Sequence, residues 1–283
     1  MAGFAGKAIE TLKMKTLAAL TLLLTCITLT TFSQREKEAS PAELGEITLR
    51  GRMLAEYDIA AWHSTDAVIA LSPEKGSFTG FIGKKRGNSW TVAYGKLNDK
   101  KDKYLIAYEA TQQALPTEFK VQKFEKPKED VNEFLNAAIA METARGSFVP
   151  AESRRYNAAI LPAIDGQFYV YFVPAQTING IFPLGGDVRV LVSKNGTKIL
   201  ETRQLHKSII EFQVPKSEKP VTGYHTAILD DVPEDTDVFH VLAREPKLPE
   251  LVVTQKFVYQ IAVDGSIRYL MTTAAFKKVG EKP

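Results

Sequence analysis

Residues 78–112 read FTGFIGKKRGNSWTVAYGKLNDKKDKYLIAYEATQ, and this stretch decides the fold class. Three segments in it, 78–85, 89–97 and 103–112, are rich in the aromatic and β-branched residues that are typical of strands. Two polar segments, RGN at 86–88 and NDKKDK at 98–103, separate the strands with turn-forming residues. The stretch therefore predicts an antiparallel β-meander.

Helices are predicted on both sides of the meander. Apolar residues between Leu49 and Ala61 recur at three- and four-residue spacing, which indicates a helix, and Val68 to Leu71 can begin a strand after it. The charged tract KFEKPKED at 123–130 indicates a linker before a second helix, for which Asp130 is the candidate N-cap. We expect a helix–meander–helix unit at 34–145.

The chain beyond residue 146 is predicted to be mostly β. Asn195-Gly196 is a strong hairpin signal between two strand-like segments, and the segment from Pro174 to Gly186 is typical of a long loop. A strand at 222–230, an acidic loop, a helix at 236–244 and two strands within 249–270 follow, and Asp264-Gly265 is predicted to form the hairpin turn between these two strands. The tail FKKVGEKP, residues 276–283, is predicted to be frayed. The expected fold class is α+β, with a larger β-rich unit containing one helix at 146–283.

The segment MKTLAALTLLLTCITLTTFSQ, residues 14–34, predicts a secretory signal peptide. Its basic front, short apolar run and small residues before a polar boundary favour a start at Met14 and cleavage after Ser33. A membrane anchor and a lipoprotein attached at Cys26 are the alternatives. We therefore expect an exported protein, periplasmic or extracellular, without a stable membrane span after cleavage.

The composition of the predicted mature chain excludes several kinds of chemistry. Loss of three lysines and one glutamate reduces the whole-chain surplus of +3 to about +1, so no basic surplus remains to favour a nucleic-acid partner. The single cysteine, Cys26, lies within the signal, so the mature chain has no thiol nucleophile, no thiolate ligand and no disulfide. The sequence also lacks phosphate-loop, dinucleotide, CxxC and HExxH motifs.

The stretch TGYHTAILDDVPEDTDVFHVL, residues 222–242, is the strongest candidate for a metal site. His225 at the end of a strand and Asp237 at the start of a helix supply two ligands, and His206 is a third if the β-rich half folds back on itself. The alternative is an ordinary, solvated helix start, where acidic residues favour the exposed amides. His240 is then an ordinary helix residue.

The same stretch resembles the JAB/MPN family of metal-dependent isopeptidases over about residues 222–270. That family pairs a His-x-His strand with an aspartate in the next helix, and the resemblance implies a zinc site with an upstream glutamate. Here Ala227 occupies the second histidine position and Glu234 the position of a serine. Glu201 and Glu211 are the candidates for the upstream glutamate.

A second cluster, WHSTD at 62–66, places His63 beside Ser64. Adjacent residues on a helix point in different directions, so His63 is not positioned to take a proton from Ser64, and no GxSxG motif surrounds it. We interpret the cluster as structural.

Three blocks are similar to those of exported bacterial proteins to which no activity is attached: YDIAAWHSTDAV (57–68), VPAQTINGIFPLGGDVRVLVS (173–193) and PEDTDVFHVLAREPKLPELVVT (233–254). This resemblance implies export and one shared architecture. The first functional hypothesis is a non-enzymatic binding or envelope-associated protein with a protein or envelope partner and no cofactor. The alternative is a zinc-dependent peptidase or isopeptidase with His206, His225 and Asp237 as ligands.

Overall fold

Helix α1, Pro41–Ile69, begins where the Ser40 hydroxyl accepts a hydrogen bond from the amide of Glu43. This computed structural model describes residues 36–150, 154–213 and 220–280, of which Glu38 onward belong to one compact unit. The predicted signal peptide lies outside the described residues. Helix α1 continues through Val68, so the strand start predicted there is wrong.

The predicted meander is confirmed as a four-stranded antiparallel sheet in the order β1-β2-β3-β4. Its charged segment 123–130 is not a linker, because Lys123 pairs with Tyr108 and Lys128 with Ile106 in the sheet. Charged side chains are common on edge strands, where they discourage pairing with other chains. The strands are β1, Gly80–Arg86; β2, Ser89–Leu97; β3, Tyr104–Gln112; and β4, Phe119–Asp130.

Helix α2, Glu133–Ser147, follows the meander as predicted. Asp130 Oδ1 accepts hydrogen bonds from the amides of Asn132, Phe134 and Leu135 at 3.1, 2.9 and 2.9 Å. Asn132 occupies the N-cap position itself. Asp130 is therefore not the N-cap, as the sequence predicts, but it accepts hydrogen bonds from the first amides of the helix from a position two residues before the N-cap.

The central β-rich part forms one four-stranded sheet, β5-β6-β8-β9, and one two-stranded sheet, β7-β10. The hairpin predicted at Asn195-Gly196 is confirmed, since Gly196 has φ +77° between β8 and β9. The predicted loop before Gly186 contains β7, whose Pro183 is tolerated because β7 has a single partner strand. The strands are β5, Tyr156–Pro162; β6, Phe168–Pro174; β7, Ile181–Gly185; β8, Val188–Val192; β9, Ile199–Gln204; and β10, Ile209–Gln213.

The last part contains a third four-stranded sheet, β11-β12-β13-β14. Strands β11 and β12 are parallel, and parallel neighbours need a crossover, which helix α3 supplies. The segment predicted to form two strands forms three, β12, β13 and β14, and the Asp264-Gly265 turn between β13 and β14 is confirmed. A short helix, α4, forms in the tail that the sequence predicts to be frayed. The elements are β11, Gly223–Thr226; α3, Asp235–Ala243; β12, Glu250–Val253; β13, Phe257–Ile261; β14, Ile267–Thr272; and α4, Thr273–Gly280.

Two hydrophobic clusters form the core, and helix α1 contributes to both. Leu54 and Tyr57 belong to the larger cluster, which joins the meander, α2 and strands β5, β6 and β8. Leu44 and Ile47 belong to the smaller one, around α3, β12 and β13. The predicted α+β architecture is therefore confirmed, and the core includes residues from both sides of residue 146.

A close approach between α1 and α3 fixes the position of the candidate site. A Cβ atom at Gly51 would lie 2.4 Å from Val238 Cβ, so only glycine permits this spacing without movement. Within the described ranges, no helix is long and apolar enough to cross a membrane.

Candidate metal centre

His206, His225 and Asp237 meet in the folded chain, as the metal hypothesis requires. His206 follows β9, His225 lies in β11, and Asp237 lies in the first turn of α3. The Nε2 atoms of the two histidines are 2.9 and 3.1 Å from the same atom, Asp237 Oδ1. One potential ligand atom from each residue lies within 4.8 Å of the others.

The three converging atoms are buried without a hydrogen-bond partner. His206 and His225 are 7% and 5% exposed, and Asp237 is 0% exposed. Although the atoms are close, none of these contacts has the alignment of a hydrogen bond, and both Nε2 atoms and Oδ1 are unsatisfied. A buried polar atom without a partner is costly, and a metal ion bound by all three atoms would satisfy them.

Each histidine is oriented by a carboxylate on the opposite ring nitrogen. His206 Nδ1 is 2.7 Å from Asp187 Oδ1, and His225 Nδ1 is 3.0 Å from Glu250 Oε1. A histidine that binds a metal through one nitrogen almost always donates the other N–H to such a group. Both rings therefore have the tautomer-fixing partner expected of metal ligands.

Asp237 and Glu250 are held in turn by further hydrogen bonds. Asp237 Oδ2 accepts from the amide of Glu234 at 2.8 Å, which leaves Oδ1 directed at the histidines. Glu250 Oε2 accepts from Arg244 Nη1 at 2.7 Å, and Arg244 Nη2 donates to the Leu248 carbonyl at 2.6 Å. The candidate ligands are thus fixed by a supporting layer of contacts.

One divalent cation would balance the formal charges around the site. Asp187, Asp237 and Glu250 carry three negative charges, and Arg244 contributes one positive charge. With neutral imidazoles the cluster has a net charge of −2, which is expensive to bury. Either two protons on the histidines or one divalent ion neutralises it.

The local carboxylates shift the pKa values of the metal-free site. Burial opposes protonation of His206 and His225, but Asp237 and the partner carboxylates outweigh it. They hold the pKa of His206 well above its usual value and raise that of His225 to about 9. Burial disfavours ionised Asp237, yet the two histidines hold its pKa well below the usual value.

The donor set and its spacing fit a transition-metal ion. Two histidines and one carboxylate form catalytic zinc sites and the facial triad of non-haem iron. Ligand atoms about 2.1 Å from one ion lie about 3.0 Å apart at a right angle and about 3.4 Å apart in a tetrahedron. The two separations between histidine and aspartate, 2.9 and 3.1 Å, agree with ligands at about a right angle, and the two histidine nitrogens lie within 4.8 Å of each other.

The acidic start of α3 is buried, so the solvated helix cap expected from the sequence is wrong. Glu234, Asp235 and Asp237 are 4%, 1% and 0% exposed. Asp235 accepts hydrogen bonds from Arg50 Nε at 2.9 Å and Arg189 Nη1 at 2.5 Å. It also accepts one from the Tyr171 hydroxyl at 2.8 Å. Arg50 and Arg189 come from distant parts of the chain, and their positive charges offset the free-energy cost of burying the Asp235 carboxylate.

Glu234 is a further buried carboxylate beside the ligand set. It pairs with Arg203, which also donates to Asp230 at 2.7 Å. Burial raises the pKa of Glu234 to about 8, against the opposing charge of Arg203. A carboxyl group with a pKa near neutrality is suited to proton transfer.

The other sequence candidates lie outside the ligand set. Glu201 and Glu211 are exposed, and Glu211 pairs with Arg154 at 2.6 Å. Ser64 is fully buried, with its hydroxyl oxygen 2.7 Å from the Tyr94 hydroxyl, which agrees with its structural interpretation. His240 is a buried helix residue, and burial together with Arg244 lowers its pKa to about 4.

Sequence reasoning missed the supporting carboxylates Asp187 and Glu250. Asp187 immediately follows a glycine pair, and Glu250 begins a strand of apolar residues, where a charged side chain is out of place. An isolated charged residue at the end of an apolar strand is therefore the sequence signal that could have identified these two carboxylates.

Comparison with known proteins identifies no relative: no protein-family model, curated protein or solved structure matches the chain. The class that the fold and site define is an α+β protein with a candidate His-His-Asp metal centre.

Proposed function

We propose that this is an exported metalloprotein whose metal centre, formed by His206, His225 and Asp237, supports hydrolysis. The observation that carries the proposal is the convergence of three buried, unsatisfied ligand atoms, each on a side chain already oriented by a second contact. The apolar run at 14–34 supports export to the periplasm or the extracellular space.

Three protein ligands are the number found in catalytic zinc sites, where a further position takes water or substrate. When bound, the ion would supply Lewis acidity and lower the pKa of a coordinated water. The residues of the chain hold and orient the ligand set, and Glu234 accepts or donates the proton. The resemblance to JAB/MPN proteins favours a peptide or isopeptide bond as the substrate.

The depth of the site favours a second candidate, in which the ion is structural and the protein is a non-enzymatic binding or envelope-associated protein. All three ligands are less than a tenth exposed, and they come from the segment after β9, from β11 and from α3. An ion there would tie these elements together and stabilise a surface for a protein or envelope partner.

Cobalt substitution separates the two candidates. Co²⁺ reports its coordination through its visible absorption, and an open centre changes its spectrum when azide is added. The hydrolytic proposal predicts an azide-dependent spectrum and metal-dependent cleavage of a peptide or isopeptide library. Glu234→Gln should retain cobalt but lose cleavage. A spectrum indifferent to azide, with no cleavage, would favour the structural ion instead.

His63→Ala is the matched control for these measurements. His63 lies outside the ligand set and stacks on Trp62, with ring centroids 4.9 Å apart. Its removal should leave the cobalt spectrum unchanged, whereas His225→Ala should abolish it. Loss of the spectrum in both variants would mean that cobalt binding is not specific to the proposed centre.

A further inference from the structure

A cavity of ≈ 560 Å³ lies between helix α1, strands β5 and β7, and helix α3. Its volume is within the roughly 300–1,000 Å³ of small-molecule sites. Trp62, Asp66 and Arg145 line it and are exposed, so the cavity is reached from the surface. None of the ligands His206, His225 and Asp237 is among its lining residues, so the metal ligands lie outside the cavity, whereas Arg244, which supports Glu250, lines it.

Three charged side chains on the cavity wall have no ion-pair partner among the described residues. They are Asp58 and Asp66 from α1 and Arg145 from α2. Asp58 is partly buried, and burial raises its pKa, with no neighbouring cation to oppose the rise. A desolvated carboxylate without a partner is costly in a structural role and useful in a binding site.

Aromatic and apolar side chains form much of the rest of the wall, which also includes the polar residues Thr65, Asn157, Gln176, His240 and Arg244. Trp62 lies between the two carboxylates in sequence, at the i+4 position from Asp58, and is 62% exposed. Phe81, Phe182 and Phe239 also line the cavity. Apolar walls with a few polar groups are the usual composition of ligand sites, and an exposed tryptophan face attracts cations.

We propose that the cavity binds a basic amino acid, that is, an apolar stem carrying two cationic groups and one carboxylate. This ligand is the charge complement of Asp58, Asp66 and Arg145. The two aspartates are eight residues apart on α1, or about 12 Å along the helix axis. The two nitrogens of lysine, with a hydrogen bond of about 2.8 Å at each end, span a comparable distance.

L-Lysine and L-norleucine form the test pair, because norleucine keeps the carboxylate, the α-ammonium group and the apolar stem but lacks the second cation. Calorimetric titration of the protein should show saturable lysine binding and at least about tenfold weaker norleucine binding. Asp58→Asn should reduce lysine affinity towards that of norleucine. Lysine amide, which lacks the carboxylate, should bind at least about tenfold more weakly than lysine if Arg145 holds that group.

Asp99→Asn, at an exposed turn outside the cavity, is the control and should leave lysine binding unchanged. Circular dichroism of Asp58→Asn checks that the variant folds. Nα-acetyl-L-lysine, which keeps the carboxylate and the side-chain ammonium group but lacks the α-ammonium group, should bind at least about tenfold more weakly than lysine, and equal affinity would contradict the requirement for two cations.

Equal affinity for lysine and norleucine, an unchanged affinity in folded Asp58→Asn, or no saturable binding at all would overturn the proposal. The lysine titration does not depend on bound metal, so a negative result would not contradict the proposed metal centre. A protein that binds no metal would likewise not contradict the proposal for the cavity.

Discussion

Without metal, the protein should lose stability as the pH rises from about 6.5 to 9. The pKa of His225 is about 9 in the folded state, against an ordinary value of 6.5. A group with a raised folded pKa stabilises the fold fully below its unfolded pKa, and this contribution is lost as the pH passes through the folded pKa. His206 shifts in the same direction.

The size of the loss follows from the two pKa values of His225. A rise from 6.5 to about 9 corresponds to about 3 kcal/mol of folding free energy. Glu234, whose pKa is raised to about 8, adds to the loss below that pH. Asp237 and Glu250, whose pKa values are lowered, titrate in the acidic range, and His240, with a folded pKa of about 4 and an ordinary value of 6.5, opposes the loss only near pH 6.5.

Urea unfolding in EDTA, followed by circular dichroism at half-unit steps from pH 6.5 to 9, measures this loss. The free energy of unfolding should fall by at least about 3 kcal/mol over that range. Added zinc, tested up to pH 8, should stabilise the protein more at higher pH, because ligand histidines must be deprotonated to bind it.

The matched variant is His225→Gln, which should make the metal-free curve shallower, leaving the contributions of His206 and Glu234, and should remove most of the zinc effect. A free energy of unfolding that stays level or rises between pH 6.5 and 9 in EDTA would refute the electrostatic account of the histidine pair.

Three further changes test the surroundings of the site. Gly51→Ala should destabilise by about 1–3 kcal/mol because its Cβ would meet Val238, whereas exposed Gly45→Ala on the same helix should stabilise by about 0.5–1 kcal/mol; equal effects in urea unfolding would contradict the close approach. Glu250→Gln should weaken zinc binding about 10- to 100-fold in a chelator competition, and unchanged affinity would exclude its supporting role. Asp235→Asn should cost about 3 kcal/mol or more in urea unfolding, and a cost below about 1 kcal/mol would show that its buried ion pairs matter little.

The local parts of the fold were predictable from sequence, because short-range chemistry determines them. Alternating apolar residues and turn residues give the meander, and Asn195-Gly196 and Asp264-Gly265 give two hairpins. Strand β7 was missed because Pro183 and its glycines are typical of loops, and its pairing with β10 is a contact between distant segments. The pairing of β7 with β10 therefore could not be predicted from the local sequence.

The sequence predicts that His206 joins His225 and Asp237 only if the β-rich half of the chain folds back on itself. Their supporting contacts were not foreseen, because Glu250 reaches His225 from 25 residues away in sequence. Burial of the acidic helix start depends on Arg50, which is 185 residues from its partner Asp235. Contacts at such separations leave no periodic pattern in the sequence.

The metal content of the protein, purified without a histidine tag or chelator, tests the central claim most directly. Elemental analysis after dialysis against metal-free buffer should find about one transition-metal ion per chain, as three protein ligands to one ion imply. His225→Ala should remove the ion, and His63→Ala should retain it. A wild-type protein that binds no transition metal even after zinc is supplied, or equal metal content in the two variants, would contradict the His206–His225–Asp237 centre.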